Sequence, residues 1–531
     1  MSQPHISIGS EPISGTLWSN IEVRQVLNDH WRCRIDLRST PDQRPDIESL
    51  IGQTIKVSTF SIDGSEFVTF AGTVIGASLI YEITGSYGAV VEAASSTWKL
   101  QQEPRHAYYK KVTAQSAAQT ALSRSGLSLS GSMPAGPELS YAQSNESDFQ
   151  FFLRLVDDVE AWFRPAVAGS PTAVDVETSF QSGPTLQWRQ GEYGLLEWTA
   201  SGRLHPLLTQ GAQYDFQPMM SQSPQGVSSD PGFTGGASKM VSAVKSAGSS
   251  LPASWVADRN RAATLPDYQQ RLERESRRAL ASAVRCQGVS REPQVRAGDM
   301  VTIAGLPDVN ATYGVTECIH RWSPKGYENR FTATPAQKWS QEQRPQRPRM
   351  EGLYPARVVD NYDPHNQGRI RISYWWQDDS ETTWVRLLTP YAGADRGILF
   401  YPEVGDEVLV AFEEGDAERP YAVGCVWNGV QQPPSEGYWE AGATNGSEFQ
   451  ANNVKRIVTK SGHRITIVDT QGQETITLAT PKSARFTLTE KANETSRPAI
   501  VMETQGDMIF SAPHGRIHFQ SATASREIGG E

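Results

Sequence analysis

The sequence predicts a mainly β protein with some α-helix, built as several domains in series. Three observations carry that prediction. Glycine and proline, 44 and 32 of 531 residues, supply turns for many short strands. Apolar and polar residues alternate with period two near both ends, as in "TIKVSTFSIDG" and "RITIVD". Helical periodicity is confined to a few segments, and a chain of this length holds about three or four domains.

Residues 1–218 open with strands, because "EFVTFAGTVIGASL" continues the alternation around Gly64 and Gly72. A helix follows in "VTAQSAAQTALSRSGL", with Thr113 as its N-cap and Gly126 as its stop. In "SNESDFQFFLRLVDDVEAWF", Phe149, Phe152, Leu153 and Val156 share one helical face. Asn145 is the expected cap, Glu146 and Asp148 suit the helix dipole, and Arg154 lies on the flank as a solvated charge.

Residues 219–263 are rich in Ser, Gly and Pro and are expected to form a loop or linker. Residues 264–345 begin with a helix, "LPDYQQRLERESRRALASAVRC". Pro266 stands in its first turn, Gly288 is its expected C-cap, and Tyr268, Leu272, Ala279 and Ala283 share a face. Its arginines alternate with Glu273 and Glu275, the pattern of a salt-bridged face. Strands return in "VRAGDMVTIAGL", "ATYGVTECIHRW" and "ENRFTATP" before the boundary "RPQRPRMEG".

Residues 350–433 contain about five short strands with tight turns, the signature of an OB barrel. Such barrels often bind oligonucleotides through a basic, aromatic groove. Here Glu351 to Pro434 holds 14 acids, 6 arginines and no lysine, a net charge of −8. Phosphate would be repelled, so no nucleic-acid partner is expected. Glu403, Asp406, Glu407, Glu413, Glu414, Asp416 and Glu418 raise the question of a glycosidase pair. They sit in turn sequences ("PEVGDE", "EEGDAERP") where acids are ordinarily solvated, and His365 is likewise a turn residue.

The stretch "ARVVDNYDPHNQGRIRISYWWQDD" through "TTWVRLLTPYAGADRGILFYPEVGDEVLVAFEEGDAERPYAVGCVWNG" closely resembles the OB domain of VgrG/Rhs-element Vgr spike proteins of contractile injection systems. "ESDFQFFLRL" and "RAGDMVTIAGL" to "YENRFTATP" are similar to that family's hub; residues 1–110 match it only loosely. The resemblance implies a hub of two β-barrel domains plus helices and a C-terminal triple-stranded β-helix needle formed by a trimer. It also implies a hexameric inner-tube protein under the hub, baseplate proteins around it, a PAAR-type tip protein and effector cargo. Mechanical contact with a target membrane completes that set.

Residues 434–459 form a connector too short for an enzyme domain, and residues 460–531 repeat a two-apolar motif every 8–14 residues. The pairs are Ile465/Ile467, Ile476/Leu478, Phe486/Leu488, Ile500/Met502, Met508/Phe510 and Ile517/Phe519. Two apolar side chains per strand make too thin a core for one chain. Three chains pooling those faces around an axis would hide both faces and edges, so a homotrimer is expected. The chain stops in "SREIGGE", and Ile528, Gly529, Gly530 and Glu531 are the candidates for docking the tip protein.

No catalytic, cofactor-binding or metal-binding residue stands out, so no enzyme and no cofactor are expected. Some phage spike tips hold iron through H-x-H, but His514 and His518 have the spacing H-x-x-x-H. The remaining alternatives are a cell-wall hydrolase using the barrel carboxylates and an oligonucleotide-binding protein. Net charge is −10. The start "MSQPHISIGSEPISG" lacks a basic segment followed by an apolar run, so no secretory signal is expected. No run approaches the roughly 18 apolar residues of a membrane span. Cys33, Cys286, Cys318 and Cys425 are widely spaced, which fits a reducing compartment. The expected course is assembly in the cytoplasm, then secretion or injection as part of a particle.

Overall fold

A computed structural model describes residues 3–528, apart from residues 10, 13–17, 40–45, 61–64, 82, 84–86, 102, 167–171, 190–193, 216–218, 223–225, 258–264, 343, 377–383, 435–452, 493–496 and 521–524. Two compact units divide at Cys425. Among the described residues no helix is long and apolar enough to cross a membrane.

Strands dominate, as the alternation requires. Trp18–Val26 is the pivot of a 13-stranded sheet. On one side it pairs antiparallel with Arg32–Ser39, and the sheet continues through Tyr87–Ala94, Glu66–Tyr81 and Thr54–Phe60. On the other it pairs with Ala311–Ser323, leading to Gly326–Thr334, Val284–Ser290 and Leu195–Gly202. Where two hub barrels are expected, the described strands form one 13-stranded sheet that serves two separate apolar cores. Ile21, Trp31, Phe70, Trp162 and Trp322 lie in the first, and Leu186, Val301, Tyr313 and Phe331 in the second. From Ile21 onward Trp18–Val26 buries every second residue, Ile21, Val23 and Gln25, and both Ile21 and Val23 enter the first core.

Helix α1 (Ala114–Arg124) is capped by Thr113, whose side chain accepts from Ser116 N. Helix α2 (Asp148–Asp158) starts later than its acidic lead-in implied. Asn145 has a left-handed φ of 50° at the end of strand Leu139–Glu146, and Ser147 caps instead, in a reciprocal box with Gln150. Phe152 and Val156 are buried as expected, with Phe151 and Leu155 beside them, while Phe149 and Leu153 are half-buried.

The stretch 219–263 is not simply a loop. It contains strands Met220–Gln222 and Ser254–Ala257 and helix α3 (Ser238–Gly248), which buries Val241 and Val244 in the second core. Helix α4 (Leu265–Ser282) buries Tyr268 and Leu272. It ends before Gly288, which sits in strand Val284–Ser290, where a Cβ would meet the Phe331 ring at 2.4 Å.

Tyr354–Asp360, Arg369–Tyr374, Val385–Leu387, Pro420–Cys425 and Glu407–Phe412 close into the expected five-stranded barrel. Its core, Val358, Ile370, Ile372, Val408 and Val410 among others, forms an apolar cluster of its own. In the second unit, Val454–Val458, Arg464–Val468, Thr475–Ala479, Arg485–Ala492 and Arg497–Glu503 form an antiparallel meander. In one chain this is an open sheet; the expected triple-stranded β-helix would be a property of three.

Candidate assembly surfaces

The meander's register arranges its apolar residues in two cross-strand rows. Ile457, Ile465, Leu478, Phe486 and Met502 lie opposite one another in succession. Lys455, Ile467, Ile476, Leu488 and Ile500 form the second row. Positions two apart point to the same side, so both rows share one face. Thr466, Thr477 and Thr487 form the row on the other face, where Arg456 Nε donates to Thr466 at 3.1 Å and the Thr477 and Thr487 hydroxyls meet at 3.3 Å.

Exposure runs opposite to what a self-sufficient sheet would show. The threonines are half-buried, while Ile465, Ile467, Ile476, Leu478, Leu488, Ile500 and Met502 are 38–65% exposed. Phe486 is half-buried. Such a contiguous apolar face marks an interaction site. Met508 and Phe510 fall outside any strand, contrary to expectation, although the Phe510 ring meets Phe519 edge-on at 5.8 Å. Ile517 and Phe519 occupy strand Ile517–Gln520, which pairs with Ser525–Ile528. Ile528 ends that strand, and Gly529, Gly530 and Glu531 lie outside the described residues. Ile457 belongs to the same rows but precedes the expected needle boundary; its register opposite Ile465 places it there, and "VKRIV" carries no period-two alternation that would mark it.

Further exposed apolar residues lie in the stretch between barrel strands Val385–Leu387 and Glu407–Phe412. Leu388, Tyr391, Leu399, Phe400 and Val404 are all more than half exposed. The barrel's opposite requirement, a tight turn, is met by Asp363. It accepts from the backbone N of His365, Gln367 and Arg369 and from both Nε and Nη2 of Arg369 at 2.9 and 2.8 Å. The Arg369 side chain, helped by those backbone donors, holds the Asp363 carboxyl far below the usual range.

The barrel carboxylates are engaged rather than simply solvated, which corrects the reading from their turn sequences. Tyr421 O–H donates to Glu413 at 3.0 Å and Arg419 pairs with it at 3.3 Å. Asp406 accepts from Glu403 N. Glu418 reaches the hub: Arg347 Nη1 lies 2.9 Å from it and Arg154 Nη1 3.4 Å. Burial works against its charge, but Arg347 and Arg154 outweigh that and hold its carboxyl below the usual range. Arg154 is not on a solvated flank. Its side chain is 5% exposed, donating to Glu146 at 2.6 Å and to Ala142 O at 2.8 Å. Burial pushes the Glu146 carboxyl up despite that partner. The α4 arginines pair across elements as well as along the helix: Arg278 with Asp157 and Arg277 with Glu160, each at 2.6 Å. Among the described residues no group of three metal-ligating side chains converges.

A shared two-core hub sheet followed by a small closed barrel and an apolar-faced meander is the architecture of a tail-baseplate hub joined to an injector barrel. Residues 24–326 match the phage tail baseplate hub (GPD) family, and residues 354–427 match the type VI secretion system/phage-baseplate injector OB domain. The first match covers more than half of the chain, which belongs to the phage tail baseplate hub family.

The chain is similar to the type VI secretion system spike protein VgrG5 of Pseudomonas aeruginosa, 28% identical over 208 residues, 32% of this chain and 26% of the relative. It is also similar to VgrG4b of the same organism, 30% identical over 185 residues, 28% of this chain and 22% of the relative. The matched region is thus about a quarter of those relatives' length. In fold it resembles an E. coli type VI secretion component described as structurally similar to T4 bacteriophage tail proteins gp27 and gp5. That likeness has a TM-score of 0.53 at 18% identity over 79% of this chain and 99% of the other. A Francisella PdpA–VgrG complex gives 0.58 at 8% identity over 94% and 80%.

Proposed function

We propose that the chain is the central spike of a contractile injection system and works as a homotrimer. The observation that carries this reading is the pair of apolar rows left open on the meander. A monomer would keep that face in water; three copies around one axis would bury it and cover the sheet edges. Membership of the baseplate hub family supports the placement at a tube end, and the curated relatives are named as spike proteins.

In this reading the hub, tripled, caps a hexameric inner tube within the baseplate, the barrel forms a collar, and the meanders intertwine as the needle. The end near Ile528 receives a PAAR-type tip protein, and cargo travels with the spike. One relative is named the actin cross-linking toxin VgrG1 of Vibrio cholerae. Sheath contraction would drive the assembly out of the cell and through a target membrane. The work is mechanical, and the chain contributes interfaces rather than a nucleophile or base. Cryo-electron microscopy of the purified chain tests this: a threefold particle with a tapering end is expected, and an asymmetric single-copy particle would contradict it.

A further inference from the structure

Among the described residues the barrel's apolar cluster is drawn from residues 354–422. A cavity of about 390 Å³ opens at the seam between hub and barrel, and a second of about 510 Å³ is lined by hub residues together with Arg347 and Glu418; Leu139, Ser140 and Glu418 line both. Between these openings Glu418 meets Arg154 from α2 and Arg347 from the segment joining hub to barrel, and Ala142 N points at the same carboxylate at 3.5 Å. Arg347 also reaches Asp158 at the end of α2, 3.6 Å away. The aromatic contribution is the His106 ring against Trp376, at 4.6 Å between centroids.

We infer that Glu418 is the latch of a hinge between hub and barrel: one carboxylate, clasped by arginines from the hub helix and the joining segment, positions the collar. A seam closed by apolar packing would resist opening over its whole area. This one sets a charge cluster beside two open clefts, across which the facing walls are not packed against each other. Removing one partner of a buried pair strands the other charges, so the clasp holds firmly or lets go as a unit. The barrel can then pivot without unfolding, because its own core and the Asp363–Arg369 turn do not depend on the seam. Glu418 acts here by position and not by chemistry, and the latch does not depend on the trimer.

Hydrogen exchange on the full chain tests it. In the unaltered protein, peptides covering 139–146 and 413–419 should exchange together and faster than the strands at 369–374 and 407–412. Glu418→Gln should speed exchange in those seam peptides at least tenfold and leave the barrel strands within twofold. Arg347→Gln, on the joining segment, should reproduce the pattern. Glu413→Gln, whose carboxylate pairs inside the barrel, should not. Seam exchange within twofold of the unaltered protein in both Glu418→Gln and Arg347→Gln would overturn the latch. So would loss of barrel-strand protection in both, which would make the cluster a requirement for folding and not a hinge.

Discussion

Replacing Ile476 by Asp should destroy the needle while leaving the hub intact. Ile476 lies in the middle of the second apolar row, directly between Ile467 and Leu488. Ile467 is the weaker choice, because Lys455 stands opposite it and could pair with an introduced acid. Burying a whole isoleucine is worth about 1.5–3 kcal/mol. Ile476 is 43% exposed in one chain, so covering it contributes about 1 kcal/mol per copy. The introduced acid costs more than that lost burial. An unpaired carboxylate taken from water costs several kcal/mol even after relaxation, and three copies near one axis add mutual repulsion. The total is on the order of 10 kcal/mol, comparable with the stability of a domain. Thr477→Asp, one residue along on the opposite face, should cost far less. Burial raises the introduced carboxyl above its usual ~3.9, so the defect is complete at neutral pH and eases as pH falls toward the raised value. Limited proteolysis reads the outcome: the segment beyond Lys460 should become sensitive in Ile476→Asp alone. Equal resistance of the two variants at neutral pH would refute burial of this face.

Asp363→Asn should lower the stability of the barrel by about 1.5–3 kcal/mol, the range for a charged hydrogen-bonding group. Because the Asp363 carboxyl is held low, its contribution is present above the ordinary ~3.9 and lost only as pH falls through the folded value. Denaturation of the variant should therefore lose part of the stability gain that the unaltered protein shows on raising pH through that interval. Deleting residues 520–531 should abolish pull-down of a PAAR-type tip protein without dissociating the trimer; undiminished capture would rule out docking there. Purified chain should release no peptidoglycan fragments, and reproducible cleavage that disappears in Glu413→Gln would reinstate a hydrolase.

What the sequence made legible follows from the range of the forces involved. The barrel strands and the meander were readable because alternation and turn residues are local, and register turns alternation directly into the two rows. The Ser147 box was present as S-x-x-Q, but the asparagine two residues upstream offered a competing cap. Helix α3 was hidden in a Ser/Gly-rich stretch with no side-chain cap. Its start, Ala237, has φ 51° and donates its N–H to Tyr313 Oη, a contact made by a strand far along the chain. Glu418 looked solvated because its turn is polar, whereas its burial depends on Arg154 and Arg347, 264 and 71 residues away in sequence. The single sheet serving both hub cores was equally out of reach, since pairing of Trp18–Val26 with Ala311–Ser323 leaves no local mark.

Native mass spectrometry of the full chain at micromolar concentration is the decisive test of the spike reading. One chain weighs 58.5 kDa, and a dominant species of three times that mass is expected. A stable species at 58.5 kDa, with the apolar rows of the meander open to water, would contradict it.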